Sequence, residues 1–377
     1  MNVAYIYPEK IPSTKARTVS VMNSCCSLTQ YTNVTLYVDA DSLPYDEIMK
    51  NYHLEHNNLI IRPVKKTILF NRITSNKFFN KNLLRTIKKE TIDIFFVRHL
   101  KTAEFLIRHK QANQKIVFEC HEIFFQTTES RKNRERIKVM EDFVYMHADG
   151  LVFINQTIQQ EFAREFANLA DHQIVSYLGS FPPSNINLNK DFYNIDELFY
   201  IGGFYKWKGI ETLIKSMQYI PNVILNIIGS DSPERVDEIN RLITKLNLQE
   251  KIKLHGFLSN AQVKDILSIS SKLVIIPNDN SMFDKFTSPL KLFECMSTYN
   301  AIIASDIVTI QEISNNSGAV LLFKAGDEKD LAKKIDFAIQ NPDFCEQLAK
   351  KAFEKSKLYS WDTRAGSLIK FFELLIS

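Results

Sequence analysis

The sequence lacks the features that mark several broad classes of protein. No apolar run approaches the roughly 18 residues that a membrane-spanning helix requires, and residues 1–9 have the pattern of a first β-strand instead of a signal peptide. The formal net charge is only +4 over 377 residues, so the charge balance alone does not indicate a nucleic-acid partner. We therefore expect a protein that is soluble, or that is held at a membrane surface from outside.

Cysteine is also scarce. The odd number of thiols, the absence of a CxxC pair and the lack of metal-ligand spacing predict a reducing cytoplasm and no disulfide framework. With 45% apolar and 24% charged residues, the composition is that of a soluble globular protein long enough for two domains. The five cysteines are Cys25, Cys26, Cys120, Cys295 and Cys345.

Short β-rich runs alternate with helical patterns along nearly the whole chain. This alternation predicts an α/β fold with parallel sheets, and thirteen strands are too many for one ordinary open sheet. Two prolines within residues 179–185 mark the predicted linker between two doubly wound, Rossmann-like domains, at residues 1–180 and 181–357. The predicted strands are residues 3–7, 34–38, 59–61, 94–97, 116–118, 151–154 and 174–177, then 198–201, 223–228, 252–255, 273–276, 301–304 and 320–323.

The stretch at residues 286–296 predicts a helix with a polar face. Ser288 has the character of an N-cap and Pro289 that of a first helical residue. Lys291 and Glu294 lie off the buried stripe and share a face, where a bound anion would suit the lysine and sugar hydroxyls would suit the carboxylate. An ordinary amphipathic helix with a solvated Lys–Glu pair is the alternative. The stripe consists of Pro289, Leu292, Phe293 and Met296.

A second lysine-bearing segment is predicted to lie at the same sheet edge. If the second sheet has the order 3-2-1-4-5-6, the strands at 198–201 and 273–276 are neighbours at a topological switch point. The loop after the first of them carries Lys206 and Lys208. Two cations, Lys208 and Lys291, would then suit a diphosphate in one crevice. A solvated loop is the alternative interpretation for Lys206 and Lys208.

These segments resemble GT-B glycosyltransferases of the large retaining family 4, the glycosyl transferases group 1. The resemblance covers nearly the whole chain and is strongest over residues 198–300. It is carried by the runs at 200–204, 207–210, 255–258 and 288–294, by Phe118-Glu119-Cys120-His121-Glu122, and by Tyr359-Ser360-Trp361-Asp362. It implies two Rossmann-like domains facing a central cleft, with residues 358–377 forming a terminal helix that crosses back to the first domain.

The resemblance also implies a reaction and a set of site residues. The reaction would transfer a sugar from a nucleotide-diphosphate-sugar donor to a glycan or lipid-linked acceptor, with retention of configuration at the anomeric carbon. It would need no metal or other cofactor. Lys208 would contact the donor phosphates, Glu294 the ribose, and His121 the transferred sugar, which makes these three the expected catalytic residues. The remaining expected donor contacts are Gly203, Phe257, Ser288, Pro289, Leu290 and Lys291, and the other expected acceptor contacts are Thr14 and Lys15.

Departures from the family pattern keep other functions open. Phe286 stands where the family often has a second glutamate, with Asp284 as a possible substitute, and Gly203 stands where an arginine is frequent. The alternative is therefore a non-catalytic GT-B subunit that binds a partner glycosyltransferase. A nucleotide-sugar epimerase would need further acid/base groups that the sequence does not identify. Asp39-Ala40-Asp41 resembles the metal motif of the other glycosyltransferase fold, but acidic residues after a strand usually belong to turns.

Residues 62–89 form a basic stretch, with nine cations and no acidic residue in 28 positions. Phenylalanine and leucine residues are interleaved with these cations, which predicts contact with an anionic membrane surface. We therefore expect peripheral association with the inner face of the plasma membrane, in bacterial surface polysaccharide or glycolipid synthesis. A solvated basic face is the alternative, and RNA is disfavoured because no binding module is recognisable.

Overall fold

The computed structural model describes residues 1–13, 15–52, 58–68, 73–183, 185–230, 232–269, 272–279, 285–286, 288–315 and 317–377. The chain forms two compact units, each with its own parallel sheet. The first unit combines residues 1–178 with residues 361–377, and the second contains residues 179–360. In the described ranges, no helix is both long and apolar enough to cross a membrane.

The first unit is built on a seven-stranded parallel sheet with the order β3-β2-β1-β6-β7-β8-β9. A short antiparallel hairpin, β4 and β5, lies outside this sheet. The strands are β1 Asn2–Tyr7, β2 Asn33–Asp39, β3 Ile60–Val64, β4 Thr67–Ile68, β5 Ile73–Thr74, β6 Ile94–Val97, β7 Lys115–Cys120, β8 Gly150–Phe153 and β9 Gln173–Val175. The helices are α1 Ala16–Leu28, α2 Tyr45–Tyr52, α3 Asn76–Ile87, α4 Leu100–Ile107, α5 Phe124–Thr127, α6 Arg131–His147, α7 Gln156–Glu165 and, at the end of the chain, α15 Trp361–Ile376.

The second unit is built on a six-stranded parallel sheet with the order β12-β11-β10-β13-β14-β15, which is the predicted order 3-2-1-4-5-6. The strands are β10 Glu197–Ile201, β11 Ile224–Ile228, β12 Ile252–Gly256, β13 Leu273–Ile276, β14 Ala301–Ser305 and β15 Leu321–Phe323. The helices are α8 Ile210–Ser216, α9 Pro233–Lys245, α10 Asn260–Ile269, α11 Leu290–Met296, α12 Val308–Ser314, α13 Glu328–Gln340 and α14 Pro342–Ser356. Single 3-10 turns cover Lys206–Lys208, Met217–Tyr219 and Lys357–Tyr359.

The predicted α/β fold is confirmed, because each of the thirteen predicted strands is present within a few residues of its expected bounds. Central strands such as β6 and β13 are buried at every position, as expected for parallel strands covered by helices on both faces. The sequence analysis missed the β4–β5 hairpin, whose two-residue strands are too short to show an alternating pattern.

Helix α15 returns the chain to the first unit after the second unit is complete. Leu368 and Phe372 are fully buried there, and the Phe372 ring meets the Phe96 ring of β6 edge-on with 5.4 Å between centroids. Gly150 opens β8 beside this helix, where an added Cβ would lie only 2.8 Å from the Phe371 ring. The helix is thus an integral part of the first core and not an appendage.

Candidate functional site

The loops that follow β10 and β13 meet at the carboxyl edge of the second sheet. These strands are hydrogen-bonded neighbours, with Leu198 opposite Leu273. The Asp279 N–H donates to the Trp207 carbonyl over 3.0 Å, and the Thr212 hydroxyl donates to the Asp279 carboxylate over 3.3 Å. The predicted juxtaposition at the topological switch point is therefore present in the fold.

Gly209 makes this meeting of loops possible. Its φ is +66°, and a Cβ at this position would lie 1.7 Å from the Pro277 carbonyl oxygen, so no other residue fits without moving backbone. Lys208, immediately before it, places its Nζ 4.0 Å from the centroid of the Trp207 ring. The cation–π contact holds the ammonium group next to the switch point.

The structure corrects the predicted start of the helix at residues 288–296. Helix α11 begins at Leu290, and Pro289 has φ −79° and ψ 66°, an inverse γ-turn in which the Leu290 N–H donates to the Ser288 carbonyl over 2.8 Å. Ser288 is therefore not an N-cap and Pro289 is not the first helical residue. Because it does not cap, the Ser288 hydroxyl is a buried polar atom with no partner among the described residues. The buried stripe of Leu292, Phe293 and Met296 is confirmed.

Lys291 and Glu294 form an ion pair on the polar face of α11. Lys291 Nζ lies 2.6 Å from Glu294 Oε2, and about a third of the lysine side chain, 32%, remains exposed. Burial opposes the charge on Lys291, but the Glu294 carboxylate outweighs it and raises the pKa of the lysine above its usual value.

A second lysine in this neighbourhood was not predicted from the sequence. Burial lowers the pKa of Lys264 on α10, the charge of Lys291 adds to this lowering, and Glu294 opposes it. The Glu294 carboxylate thus affects the pKa of both lysines and forms its ion pair with Lys291. No sequence pattern identified Lys264, because its proximity to Glu294 is produced by the packing of α10.

Three other expected donor contacts have distinct environments. The Gly203 carbonyl accepts a 2.6 Å hydrogen bond from the Tyr200 hydroxyl, which shapes the loop after β10. Phe257 follows β12 directly and is 66% exposed, so its ring face is free for stacking. Phe286 is 9% exposed, so an apolar buried side chain occupies the position of the family's second glutamate. Asp284, the possible substitute, lies outside the described residues.

His121 lies in the first unit, directly after β7. Its Nε2 is 3.1 Å from Glu119 Oε2, although the direction is unfavourable for a hydrogen bond. Burial, helped by the charge of Arg98, lowers the pKa of His121 to about 4 in spite of Glu119. The imidazole is therefore neutral at physiological pH and can donate and accept hydrogen bonds without carrying charge.

Glu119 is the centre of a buried polar cluster that the sequence analysis did not identify. Its carboxylate accepts from Arg364 NH2 over 2.5 Å and from the Tyr5 hydroxyl over 2.6 Å. Burial would raise the pKa of Glu119, but His121, Arg364 and Arg98 outweigh it and hold the pKa well below its usual range. Arg364 comes from α15 and also donates to the Ser176 carbonyl. No sequence pattern singled out Arg364, because α15 also carries Asp362, Lys370 and Glu373.

The remaining predicted site residues lie in the first loop of the first unit. Thr14 is outside the described residues. Lys15 immediately precedes α1, with its Nζ 4.0 Å from Glu9 Oε2. The Asp39-Ala40-Asp41 motif forms a turn, in which Asp39 Oδ1 accepts the Asp41 N–H over 3.2 Å and Asp41 pairs with Lys10. Within the described part of the chain, no group of three or more His, Cys, Asp or Glu residues is placed to hold a metal ion.

The basic stretch is only partly as expected. Contact of the interleaved phenylalanine and leucine residues with a membrane would require them to be exposed, but Phe79 and Leu83 are fully buried. They form the inner face of α3 and pack into the unit. The exposed face of α3 carries Lys77, Lys81 and Arg85 at helical spacing.

Comparisons with known proteins agree with this architecture. Residues 190–355 match the model of the family described as glycosyl transferases group 1. A protein of Methanocaldococcus jannaschii described as an uncharacterized glycosyltransferase is 22% identical over 378 residues, which span 93% of this chain and 92% of that protein.

Solved structures of similar fold extend the comparison to the whole chain. Sucrose-phosphate synthase from Thermosynechococcus elongatus has a TM-score of 0.76 at 18% identity, covering 99% of this chain and 98% of that one. HepE of Anabaena in complex with UDP-glucose has a TM-score of 0.75 at 15% identity, covering 99% and 100%. At such identities these likenesses establish the fold. The chain therefore has the two-unit α/β fold of GT-B glycosyltransferases, and residues 190–355 are similar to the glycosyl transferases group 1 family.

Proposed function

We propose that the chain is a glycosyltransferase that uses a nucleoside-diphosphate-sugar donor. The second unit binds the donor and the first unit binds a glycan or lipid-linked acceptor. The observation that carries the proposal is the meeting of the loops after β10 and β13, which brings Lys208 to the switch-point edge of a group 1 domain. The similarity in fold to HepE, whose structure contains UDP-glucose, supports a nucleotide-sugar ligand.

The electrostatics of the second unit suit a diphosphate. Lys291 pairs with the Glu294 carboxylate, which also affects the pKa of Lys264. The buried Ser288 hydroxyl has no hydrogen-bond partner among the described residues and is available to donate to a phosphate oxygen. Each charge-assisted hydrogen bond to a phosphate oxygen contributes about 1.5–3 kcal/mol. Glu294 is only partly buried and can accept hydrogen bonds from ribose hydroxyls, while the exposed Phe257 ring offers a stacking surface for the base.

The proposed reaction is a metal-independent transfer with retention at the anomeric carbon. The leaving diphosphate, stabilised by Lys208 and Lys291, takes the proton of the acceptor hydroxyl as that oxygen attacks from the same face. The neutral His121 imidazole contributes a hydrogen bond to the transferred sugar. Most of the rate acceleration then comes from positioning and electrostatic stabilisation of the leaving group.

One observation favours a second candidate function. Phe286 fills the position of the family's second glutamate with a buried apolar side chain. A subunit that binds nucleotide and a partner glycosyltransferase, without turnover of its own, would tolerate this change. The exposed cations of α3 add the proposal that the protein acts at the cytoplasmic face of the plasma membrane, in surface polysaccharide or glycolipid synthesis.

The test is calorimetric titration with UDP, GDP and TDP in excess EDTA, followed by assays of the matching nucleotide sugars with and without magnesium. We expect one nucleoside diphosphate to bind in EDTA and its sugar nucleotide to be consumed at equal rates under both conditions. Binding without consumption for any acceptor would indicate the non-catalytic subunit. Failure of all three nucleotides to bind would contradict both functions, and activity that requires manganese would contradict the metal-independent reaction.

A further inference from the structure

The first unit contains a second charged site, a cavity of about 730 Å³ at the carboxyl edge of its sheet. We call it the basic cavity. Its lining comes from the segments that follow β1, β2 and β6, from the start of α3 and from the segment before β4. Its charged side chains are Lys10, Lys15, Arg17 and Lys66, against Glu9 and Asp39.

The position of the basic cavity is one where α/β folds bind ligands. Strands β1 and β6 are neighbours in the order β3-β2-β1-β6, with Val3 opposite Ile94, so the direction of winding reverses between them. Crevices at such reversals open at the carboxyl ends of the strands. The volume lies within the range of small-molecule sites, roughly 300–1,000 Å³.

The two carboxylates of the cavity are already engaged. Glu9 Oε2 accepts from Arg17 over 2.9 Å and lies 4.0 Å from Lys15. Asp39 is 3% exposed and accepts the backbone N–H of Asp41. Neither carboxylate is therefore placed to recognise a cationic ligand.

Lys66 forms no ion pair with a carboxylate among the described residues. Its Nζ donates to the Pro8 carbonyl over 2.7 Å, and no carboxylate of the described residues lies within 4.0 Å of it. A carbonyl oxygen holds the ammonium group in place but leaves its full charge and two further N–H donors. His99 in the same lining has its pKa lowered to about 4, mainly by burial and further by Lys101, Lys66 and Arg17, while Glu9 opposes this lowering.

We propose that the basic cavity binds a phosphate or diphosphate group of the acceptor. Lys66, Arg17 and Lys15 supply the donors, and the remaining volume accommodates the group to which the phosphate is attached. This inference rests on the proposed function, in which the first unit binds the acceptor, and it specifies that the acceptor is phosphorylated. It also gives Lys66 a role inside the fold, separate from the exposed cations of the basic stretch.

The test uses inorganic pyrophosphate as the probe, by calorimetry on the full chain with Lys208→Ala, which weakens the donor site. We expect Lys66→Gln to raise the dissociation constant about tenfold or more, and Lys66→Arg to restore much of the binding. The matched control is Lys132→Gln, an exposed lysine on α6 in the same unit, which removes the same charge and should change the constant less than twofold. Equal effects of Lys66→Gln and Lys132→Gln would overturn the proposal.

Two further measurements distinguish a lipid-linked acceptor from a soluble one, and distinguish failure of the basic cavity from failure of the donor site. Farnesyl diphosphate that binds much more tightly than pyrophosphate, and that loses affinity in Lys66→Gln, indicates a lipid-linked acceptor. Equal affinities for farnesyl diphosphate and pyrophosphate that both depend on Lys66 indicate a soluble sugar phosphate. Farnesyl diphosphate binding that is unchanged in Lys66→Gln would contradict binding in the basic cavity. UDP binding to the unaltered protein is measured separately, so a result that contradicts the donor site leaves the test of the Lys66-dependent site intact.

Discussion

Each unit places a carboxylate against a cation within hydrogen-bonding distance, but at very different depths. In the first unit, Glu119 and Arg364 are 3% and 1% exposed and 2.5 Å apart. In the second unit, Glu294 and Lys291 are 24% and 32% exposed and 2.6 Å apart. The distances are nearly equal, so distance does not distinguish a pair that supports the fold from a pair that is available to a ligand.

Burial makes that distinction. Removing one partner of a buried pair leaves a charge that water cannot reach, whereas a partly exposed pair contributes little because water replaces the lost partner. The Glu119–Arg364 pair therefore fixes structure around His121. In the proposed donor complex, the Lys291–Glu294 pair would exchange its mutual contact for contacts with the nucleotide at small cost.

The largest effect that tests this comparison is the loss of stability in Arg364→Leu. It should cost about 3–5 kcal/mol in free energy of unfolding because Glu119 is left buried and ionised, while Lys291→Leu should cost about 1 kcal/mol or less. Urea denaturation followed by circular dichroism measures both. The double change Arg364→Leu with Glu119→Leu should recover much of the loss. Equal, small costs for the two single variants would show that depth of burial does not separate the pairs.

The next effect concerns nucleotide affinity, which changes in the second unit should lower without changing stability. Lys208→Ala and Glu294→Ala should each weaken nucleoside-diphosphate binding by about 1.5–3 kcal/mol, with little change in unfolding, because each removes a contact of a charged group. Calorimetry with the nucleoside diphosphate that binds in the titration proposed above measures the affinity. Lys245→Ala, an exposed lysine on α9 in the same unit, is the control and should bind like the parent protein. Unchanged affinity in both site variants would place the donor elsewhere.

A smaller effect concerns the exposed cations of α3. Each of Lys77, Lys81 and Arg85 should add about 1 kcal/mol to binding of anionic vesicles, so their joint replacement by glutamine should reduce co-sedimentation. Binding by the parent should fall steeply with salt, because screening shortens from about 8 Å at physiological ionic strength to 3 Å at 1 M. Replacing Lys245, Lys329 and Lys350 removes the same charge in the second unit. An equal loss in that control would mean that no membrane face is localised on α3.

The last effect is on the pH dependence of stability. His121 and His99 have pKa values of about 4 in the folded state, below the value of about 6.5 for an unfolded chain. Between these values the unfolded chain binds more protons, so stability should fall as pH is lowered from 6.5 to 4. Burial raises the pKa of Glu141 to about 7, which opposes this trend.

Thermal unfolding across that range, in the parent and in His121→Asn, measures the contribution of one histidine. The variant should lose stability with a shallower slope, and the difference should be a few degrees at most. His172→Gln, which changes an exposed histidine of the same unit, serves as the control. A parent protein whose melting temperature rises as the pH falls from 6.5 to 4 would contradict the assigned direction.

The sequence predicted the sheets well because parallel strands are buried on both faces and leave continuous apolar runs, as in β6 and β13. It also predicted the order of the second sheet and the buried stripe of α11. It was wrong about Ser288, because a local preference for capping gave way to an inverse γ-turn at Pro289. The prediction of a helix N-cap depends on the backbone conformation of a few residues, which sequence patterns predict poorly.

The sequence did not reveal contacts that depend on packing between distant segments. Glu119 and Arg364 are 245 positions apart in the sequence. Lys264 lies on a different helix from Glu294, whose charge affects the pKa of the lysine. The position of Phe79 was misjudged for a related reason. Its burial follows from the orientation of α3 on the sheet, which a run of alternating charge and aromatic residues does not fix.

The return of α15 to the first unit has a consequence for biosynthesis. During translation, residues 1–178 leave the ribosome well before residues 361–376. The first unit therefore cannot form the Arg364–Glu119 pair or the Phe372–Phe96 contact until the whole second unit has been synthesised. During that interval the apolar surface that α15 covers in the folded first unit is exposed to water. A premature stop near the end of the message would thus damage the beginning of the protein more than its middle.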